Sequence, residues 1–148
     1  MIIEIDQSGK IENTNKPTVL AFSNSISKSI LISAKDKRTI QTIYRKINQG
    51  KTFITKIFST MIFYLLKSDI KNLDSIIIDR EYPGHESDIK GSILDIFNKE
   101  KIKIEPGSIK FTSIGKKSNA HKIAHESYIS KKSEIKISAN EILRILLK

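Results

Sequence analysis

The chain opens MIIEIDQSGK, with Ile3 and Ile5 alternating against Glu4 before Asp6 closes the apolar stretch. A period of two predicts a strand, Ile2–Gln7, with one dry face. TVLAFS at Thr18–Ser23 and KSILISA at Lys28–Ala34 are rich in β-branched residues and predict two more strands. Only Asn24-Ser25-Ile26-Ser27 links those two, which predicts a hairpin. The period then changes. In DKRTIQTIYRKI, the residues Ile40, Ile43, Tyr44 and Ile47 share one helical face, and Gly50 is expected to end that helix. A second helix, about Thr52–Lys67, is apolar nearly all round, which predicts cover on most sides.

Ser75–Asp79 reads SIIID, a short apolar run of the kind found in strands buried on both faces. Tyr82-Pro83-Gly84 predicts a turn, and Ser87–Lys99 a helix with Ile89, Ile93, Ile96 and Phe97 on one face. Pro106-Gly107 introduces a fifth strand, Ser108–Ile114. Ser118 caps a helix to about Ser130, and Ser138 caps a last one, Ala139–Leu147. The order is β-β-β-α-α-β-α-β-α-α. Three strands arrive by hairpins and two by helical crossovers, which run parallel and right-handed. The predicted fold is α/β: one domain over residues 1–148, with a mixed five-stranded sheet, three antiparallel strands and then two parallel, flanked by helices.

Composition narrows the classes. With 28% charged and 39% hydrophobic residues in 148, the chain has the make-up of a folded domain rather than a disordered one. It has no Cys, which excludes disulfides and thiolate zinc sites. No apolar run is long enough to cross a membrane, the longest being broken by Lys56 and Lys67, so no membrane partner is expected. The N-terminus reads as a strand rather than a signal peptide, and a cytoplasmic location is the expectation. The formal net charge of +10 favours a polyanionic partner, nucleic acid first. The plain alternative is compositional: a chain rich in Ile, Lys and Asn, or a heat-adapted Lys-rich surface. No aromatic platform lies on a strand, so a sheet that stacks single-stranded bases is not expected.

Asp6 and Asp79 pose the chemical question. Each ends an apolar strand. Asp is common where strands give way to turns, and that reading serves for either residue alone. If the two strands are parallel neighbours, however, their tips lie side by side at a spacing of roughly 4.8 Å. Two carboxylates that close repel each other unless a cation lies between them, and a divalent metal with oxygen ligands resolves the conflict. Glu81 and His85, just beyond Asp79, can reach the same edge or serve as ordinary loop residues. Glu4 lies one two-residue step farther in and is read as supporting. His121 and His125 stand one helical turn apart in SNAHKIAHESYISKK. They do not make a zincin motif, because Glu126 follows the second His instead of lying between the two. Lys10, Lys116, Lys117 and Lys122 lie near these positions in sequence and are candidates to grip phosphates.

The element order, an acid on the first strand, an acid at the tip of the fourth and ligands on a late helix together resemble the ribonuclease H-like superfamily. The likeness covers almost the whole chain and rests on topology and position. It is closer to the RuvC-type resolvase branch than to ribonuclease H proper. Ribonuclease H carries a Glu on its first long helix, whereas Lys37–Lys67 here contains no acid. The RuvC-type branch places its second acid where Asp79 stands and its last ligands on a C-terminal helix, the region of His121 and His125. The late Asp of that branch is missing here, and Glu126 is the nearby acid. The resemblance implies a nuclease in which Asp6, Asp79, Glu81, His121 and His125 hold Mg²⁺ or Mn²⁺, with Asp6, Asp79 and His121 catalytic. The expected partner is DNA or RNA, with a homodimer left open. Two alternatives remain on the same fold: a nucleic-acid-binding module without chemistry, and a structural subunit of a larger complex.

Overall fold

The computed structural model describes all residues, 1–148. Six strands are formed: β1 Ile2–Ser8, β2 Thr18–Ser23, β3 Ser27–Ile32, β4 Ser75–Asp79, β5 Ile109–Thr112 and β6 Ile135–Ile137. Five α-helices accompany them: α1 Ala34–Lys46, α2 Phe53–Leu66, α3 Glu86–Lys99, α4 Asn119–Ser130 and α5 Ala139–Leu146. All strands join one mixed sheet in the order β5-β4-β1-β2-β3-β6. β1, β2 and β3 pair antiparallel, β4 runs parallel to β1, and β5 runs parallel to β4.

The sheet therefore has six strands and not five. The additional strand, β6, pairs parallel with β3 from Ile30↔Ile135 to Ile32↔Ile137. It is short because it has only to cover the free edge of β3. Glu134, just before it, accepts from the Ser29 N–H at 2.9 Å and from the Ser29 hydroxyl at 2.6 Å. Two other boundaries differ from the pattern reading. α1 stops at Lys46 because Asn48 takes a left-handed conformation at φ 60°, ahead of Gly50. The fifth strand begins only at Ile109, since Pro106–Ser108 form a single 3₁₀ turn.

Alternation along the strands separates two faces. Ile3 and Ile5, Leu20 and Phe22, Ile30 and Ile32, and Ile76 and Ile78 all enter the main core, which also receives the apolar sides of α1, α2, α3 and α5. Complete burial of one such side chain contributes roughly 1.5–3 kcal/mol. A slip of one residue in β1 would bury Glu4 and Asp6 in this core instead, so the isoleucines hold the register. On the other face, Val19, Ala21 and Leu31 pack against Ala124 of α4. That is the face to which Asp6 turns.

α2 and α3 lie side by side and run the same way. Ser59 donates to the Ile89 carbonyl at 3.4 Å, and farther along the Phe63 and Phe97 rings meet edge-on at 4.9 Å. Because α3 starts just after β4 ends, the N-termini of both helices lie at the carboxyl edge of the sheet. No helix is long and apolar enough to cross a membrane.

Candidate metal centre

The carboxyl ends of β1 and β4 bring the two strand-tip acids together. Ile5 is paired with Ile78 in the parallel ladder, so Asp6 and Asp79 are the next residues along each strand. Glu81 joins them because the chain folds back at once: its N–H donates to the Asp79 carbonyl at 2.8 Å. One carboxylate oxygen from each of Asp6, Asp79 and Glu81 lies within 4.8 Å of the others. The residue pattern alone allows Glu81 to be either a ligand or a loop residue, and the fold puts it in the cluster.

Each acid of the β1 and β4 tips is held by the backbone. Asp6 is only 4% exposed, and its Oδ1 accepts from the Gln7 N–H at 2.8 Å. Asp79 Oδ1 accepts from the Ile114 N–H at 2.7 Å, which ties the β5–α4 loop to the tip of β4. Burial raises the Asp6 carboxyl above the ordinary carboxylate range, and the neighbouring Asp79 charge adds to this. Burial, followed by the Asp79 charge, pushes Glu81 up to about 7. The Lys10 ammonium opposes that shift, so Lys10 stands within electrostatic reach of Glu81. Three partly desolvated carboxylates with one cation nearby form a hard, oxygen-rich, electron-rich site, and the donor set fits a divalent ion such as Mg²⁺ or Mn²⁺.

His121 reaches the cluster from α4. Its Nδ1 lies 2.7 Å from Asp6 Oδ2. Against an ionised Asp6, which can only accept, the ring would donate from Nδ1, and in its neutral form Nε2 would then be an acceptor. With Nδ1 engaged, His121 orients Asp6 and stands beside the three-acid group. Ser118 sets the start of α4 by accepting from the His121 N–H at 3.1 Å. Gly9 allows α4 to come this close. At φ 79°, with Tyr128 of α4 and the Pro17 carbonyl within 2.5 Å of where a Cβ would stand, no other residue fits there.

The remaining candidates divide. His125 is exposed, one turn farther along α4, with its ring parallel to that of His121 at 6.4 Å and outside the acid cluster. Its expected place as a ligand is not met by this arrangement, because the ring lies over His121 and not over the acids. His85 stands at the N-cap position of α3 without making a capping bond, faces Asp88 at 3.9 Å and lies outside the acid cluster. Lys116 and Lys117 are exposed on the β5–α4 loop, and Lys122 is exposed in the first turn of α4 beside His121.

Two supporting residues escape the sequence pattern. Lys37 is fully buried, and its Nζ donates to the Lys10 carbonyl at 3.1 Å, the Asn13 carbonyl at 2.7 Å and the Thr18 hydroxyl at 3.0 Å. It secures the β1–β2 loop that carries Lys10. The Tyr82 hydroxyl accepts from Gln7 Nε2 at 2.9 Å and from the Ile11 N–H at 3.2 Å, which joins the same loop to the segment after Glu81. Nothing in the local pattern marks either residue, apart from one basic position on the dry side of α1. The largest groove, about 850 Å³, lies at the opposite edge of the sheet, between the segments that lead into β4 and β5. The acids lie away from that groove, with Asp6 buried and Asp79 and Glu81 half-buried. Comparison of the chain with known protein families, curated proteins and solved structures found no match.

Proposed function

We propose that the chain is a divalent-metal-dependent nuclease of the ribonuclease H-like, RuvC type. One observation carries the reading. Asp6, Asp79 and Glu81 converge within 4.8 Å at the carboxyl edge of two parallel strands, in a chain with a net charge of +10. Strand carboxyl ends are where parallel α/β sheets tend to place their chemistry. Asp6, Asp79 and Glu81 would hold Mg²⁺ or Mn²⁺. Such an ion, when bound, acidifies a water and offsets the charge that builds on the oxygens of a phosphodiester under attack.

The chain's own residues supply the rest. His121 holds Asp6 through Nδ1 and presents Nε2 as a proton acceptor at the same edge. Lys10, beside Glu81, and Lys116, Lys117 and Lys122, on the β5–α4 loop and the first turn of α4, carry exposed positive charge suited to a phosphate backbone. Backbone contacts of this kind bind without reading sequence.

A second reading is a nucleic-acid-binding module without cleavage. It is favoured by α4, whose acid Glu126 does not enter the cluster, so the third carboxylate comes from Glu81 instead. One experiment separates the two. DNA and RNA substrates, single-stranded, duplex and branched, are incubated with the protein and Mn²⁺ or EDTA. The nuclease reading expects cleavage that needs the metal and vanishes in Asp6→Asn and Asp79→Asn, with binding retained. In His121→Ala the loss should be smaller, about 10–100-fold, as for residues that orient a metal ligand. Binding with no cleavage under any condition would leave the second reading.

A further inference from the structure

Lys10 is exposed, yet the backbone on both sides of it is fixed. The Gly9 carbonyl accepts from Gln7 Nε2 at 3.1 Å, and the Lys10 carbonyl accepts from the Lys37 ammonium at 3.1 Å. The Ile11 N–H donates to the Tyr82 hydroxyl at 3.2 Å. Both peptide groups that flank the Lys10 Cα therefore have bonded partners, and two of those partners, Gln7 and Lys37, are buried. Support of this kind sets where the ammonium can reach, as a functional position requires. That place is beside Glu81. Ile11 and Tyr82 share a hydrogen bond, and Lys10 and Glu81 are the residues that precede them in the chain. Lys10 is accordingly the cation that lowers the Glu81 carboxyl, against burial and both aspartates.

The donors of the acid cluster are few. Asp6 gives Oδ1 to the Gln7 N–H and Oδ2 to His121 Nδ1, and Asp79 gives Oδ1 to the Ile114 N–H. Asp79 Oδ2 and the Glu81 carboxylate have no N–H donor in the chain. With the second lone pairs of the engaged oxygens and with waters, this set suffices for one ion. Two ions lie roughly 3.5–4 Å apart when they share a site, and they need protein oxygens on both flanks. No further His, Asp or Glu joins the three acids. On the α4 side His121 stands with its Nδ1 turned to Asp6, and on the loop side Lys10 brings a positive charge of its own.

We propose that the cluster holds a single divalent ion and that the Lys10 ammonium takes the place of a second one, against the phosphate at the point of cleavage. The inference rests on the nuclease reading and fixes how its site divides the charge. In hydrolysis the water oxygen bonds to phosphorus, and one water proton passes to His121 Nε2. The ester oxygen leaves with the electron pair of its P–O bond and takes a proton from solvent. Lys10 stays charged throughout and offsets the negative charge on the phosphate oxygens and the leaving oxygen, as a compact point charge can.

The test counts ions and then removes the lysine. Mn²⁺ is titrated into the metal-free chain, with free Mn²⁺ read by electron paramagnetic resonance. One ion per chain should bind in a manner that Asp79→Asn abolishes. Lys10→Met should still bind one, at equal or higher affinity, because a repelling cation has gone. Its anchoring bonds run through the backbone, so its urea midpoint should match the parent's. Single-turnover cleavage at saturating protein should rise with the first power of Mn²⁺ concentration in the parent. In Lys10→Met that rate should fall about 100-fold, the scale of losing one group that stabilises the transition state, and Lys10→Arg should restore part of it. The salt dependence of duplex binding should lose only about one unit of slope. Two ions lost together in Asp79→Asn, a second-power dependence on Mn²⁺, or a Lys10→Met variant that cuts at the parent rate would overturn this inference and leave the nuclease reading standing. A parent that binds no Mn²⁺ at these acids, or cuts nothing, overturns both.

Discussion

Within the acid cluster, Glu81 is the residue at which burial and charge act most strongly against ionisation. Its carboxyl titrates near 7, above the ordinary value of 4.5, because burial and then Asp79 disfavour the anion. The folded chain therefore keeps a proton on Glu81 over a range in which the unfolded chain has released it. By linkage, this group's contribution to stability falls as pH rises from about 4.5 to about 7 in metal-free buffer. Glu81→Gln should flatten that part of the stability profile and make the metal-free protein more stable at neutral pH, as read by urea denaturation across the range. Ion binding needs the carboxylate, so apparent Mn²⁺ affinity should climb with pH up to about 7 and level off above it. Glu81→Gln should lose that pH dependence together with much of the affinity. Asp6 is raised in the same direction, chiefly by burial, and His121 opposes the shift.

At the scale of elements, the β1–β2 loop depends on a lysine that no solvent reaches. Lys37 has three oxygen acceptors, and burial lowers its pKa to about 8. Lys37→Met would keep the stem but leave two carbonyls and a hydroxyl unpaired, at a cost of about 2–4 kcal/mol. The sign with pH is definite. A lysine depressed in the folded state holds fewer protons there than when unfolded, so its contribution rises with pH from about 8 towards 10.5. The Met variant should lose that rise, and denaturation melts from neutral to alkaline pH would show it. The same loop shows how far the pattern can be read. Strands rich in isoleucine are legible because alternation and burial coincide, and β1, β2, β3 and β4 lie within about a residue or two of their predicted spans. β6 is not legible. Three residues, Ile135-Lys136-Ile137, carry too little pattern, and its reason lies in the unpaired edge of β3. The Asp6–His121 contact spans 115 positions and exists only because α4 crosses the back of the sheet, which periodicity does not reveal. Asp79 is legible from its strand, while Glu81 needs the tight turn after β4 to be placed.

For the whole molecule, charge is the broadest feature. With 26 basic residues against 16 acidic ones, binding to duplex DNA or RNA should weaken steeply as salt rises, since each phosphate contact releases counterions. Binding that ignores salt would mean that the lysines reflect composition alone. The architecture gives that charge a direction. The tips of β1 and β4, the β1–β2 loop with Lys10, the β5–α4 loop with Lys116 and Lys117, and the starts of α2, α3 and α4 all lie at one edge of the sheet. At the opposite edge the amino terminus pairs with Asp74 and donates to the Asn72 carbonyl at 2.9 Å.

The proposed cleavage depends on the three carboxylates forming a metal centre, and anomalous diffraction from crystals soaked in Mn²⁺ addresses that without reference to any substrate. A manganese peak is expected, bounded by oxygens of Asp6, Asp79 and Glu81 at ordinary coordination distances of about 2.0–2.6 Å. The same peak should be absent from Asp79→Asn crystals. A parent crystal with no manganese there, or with the ion bound only elsewhere on the surface, would contradict the assignment of these acids as metal ligands.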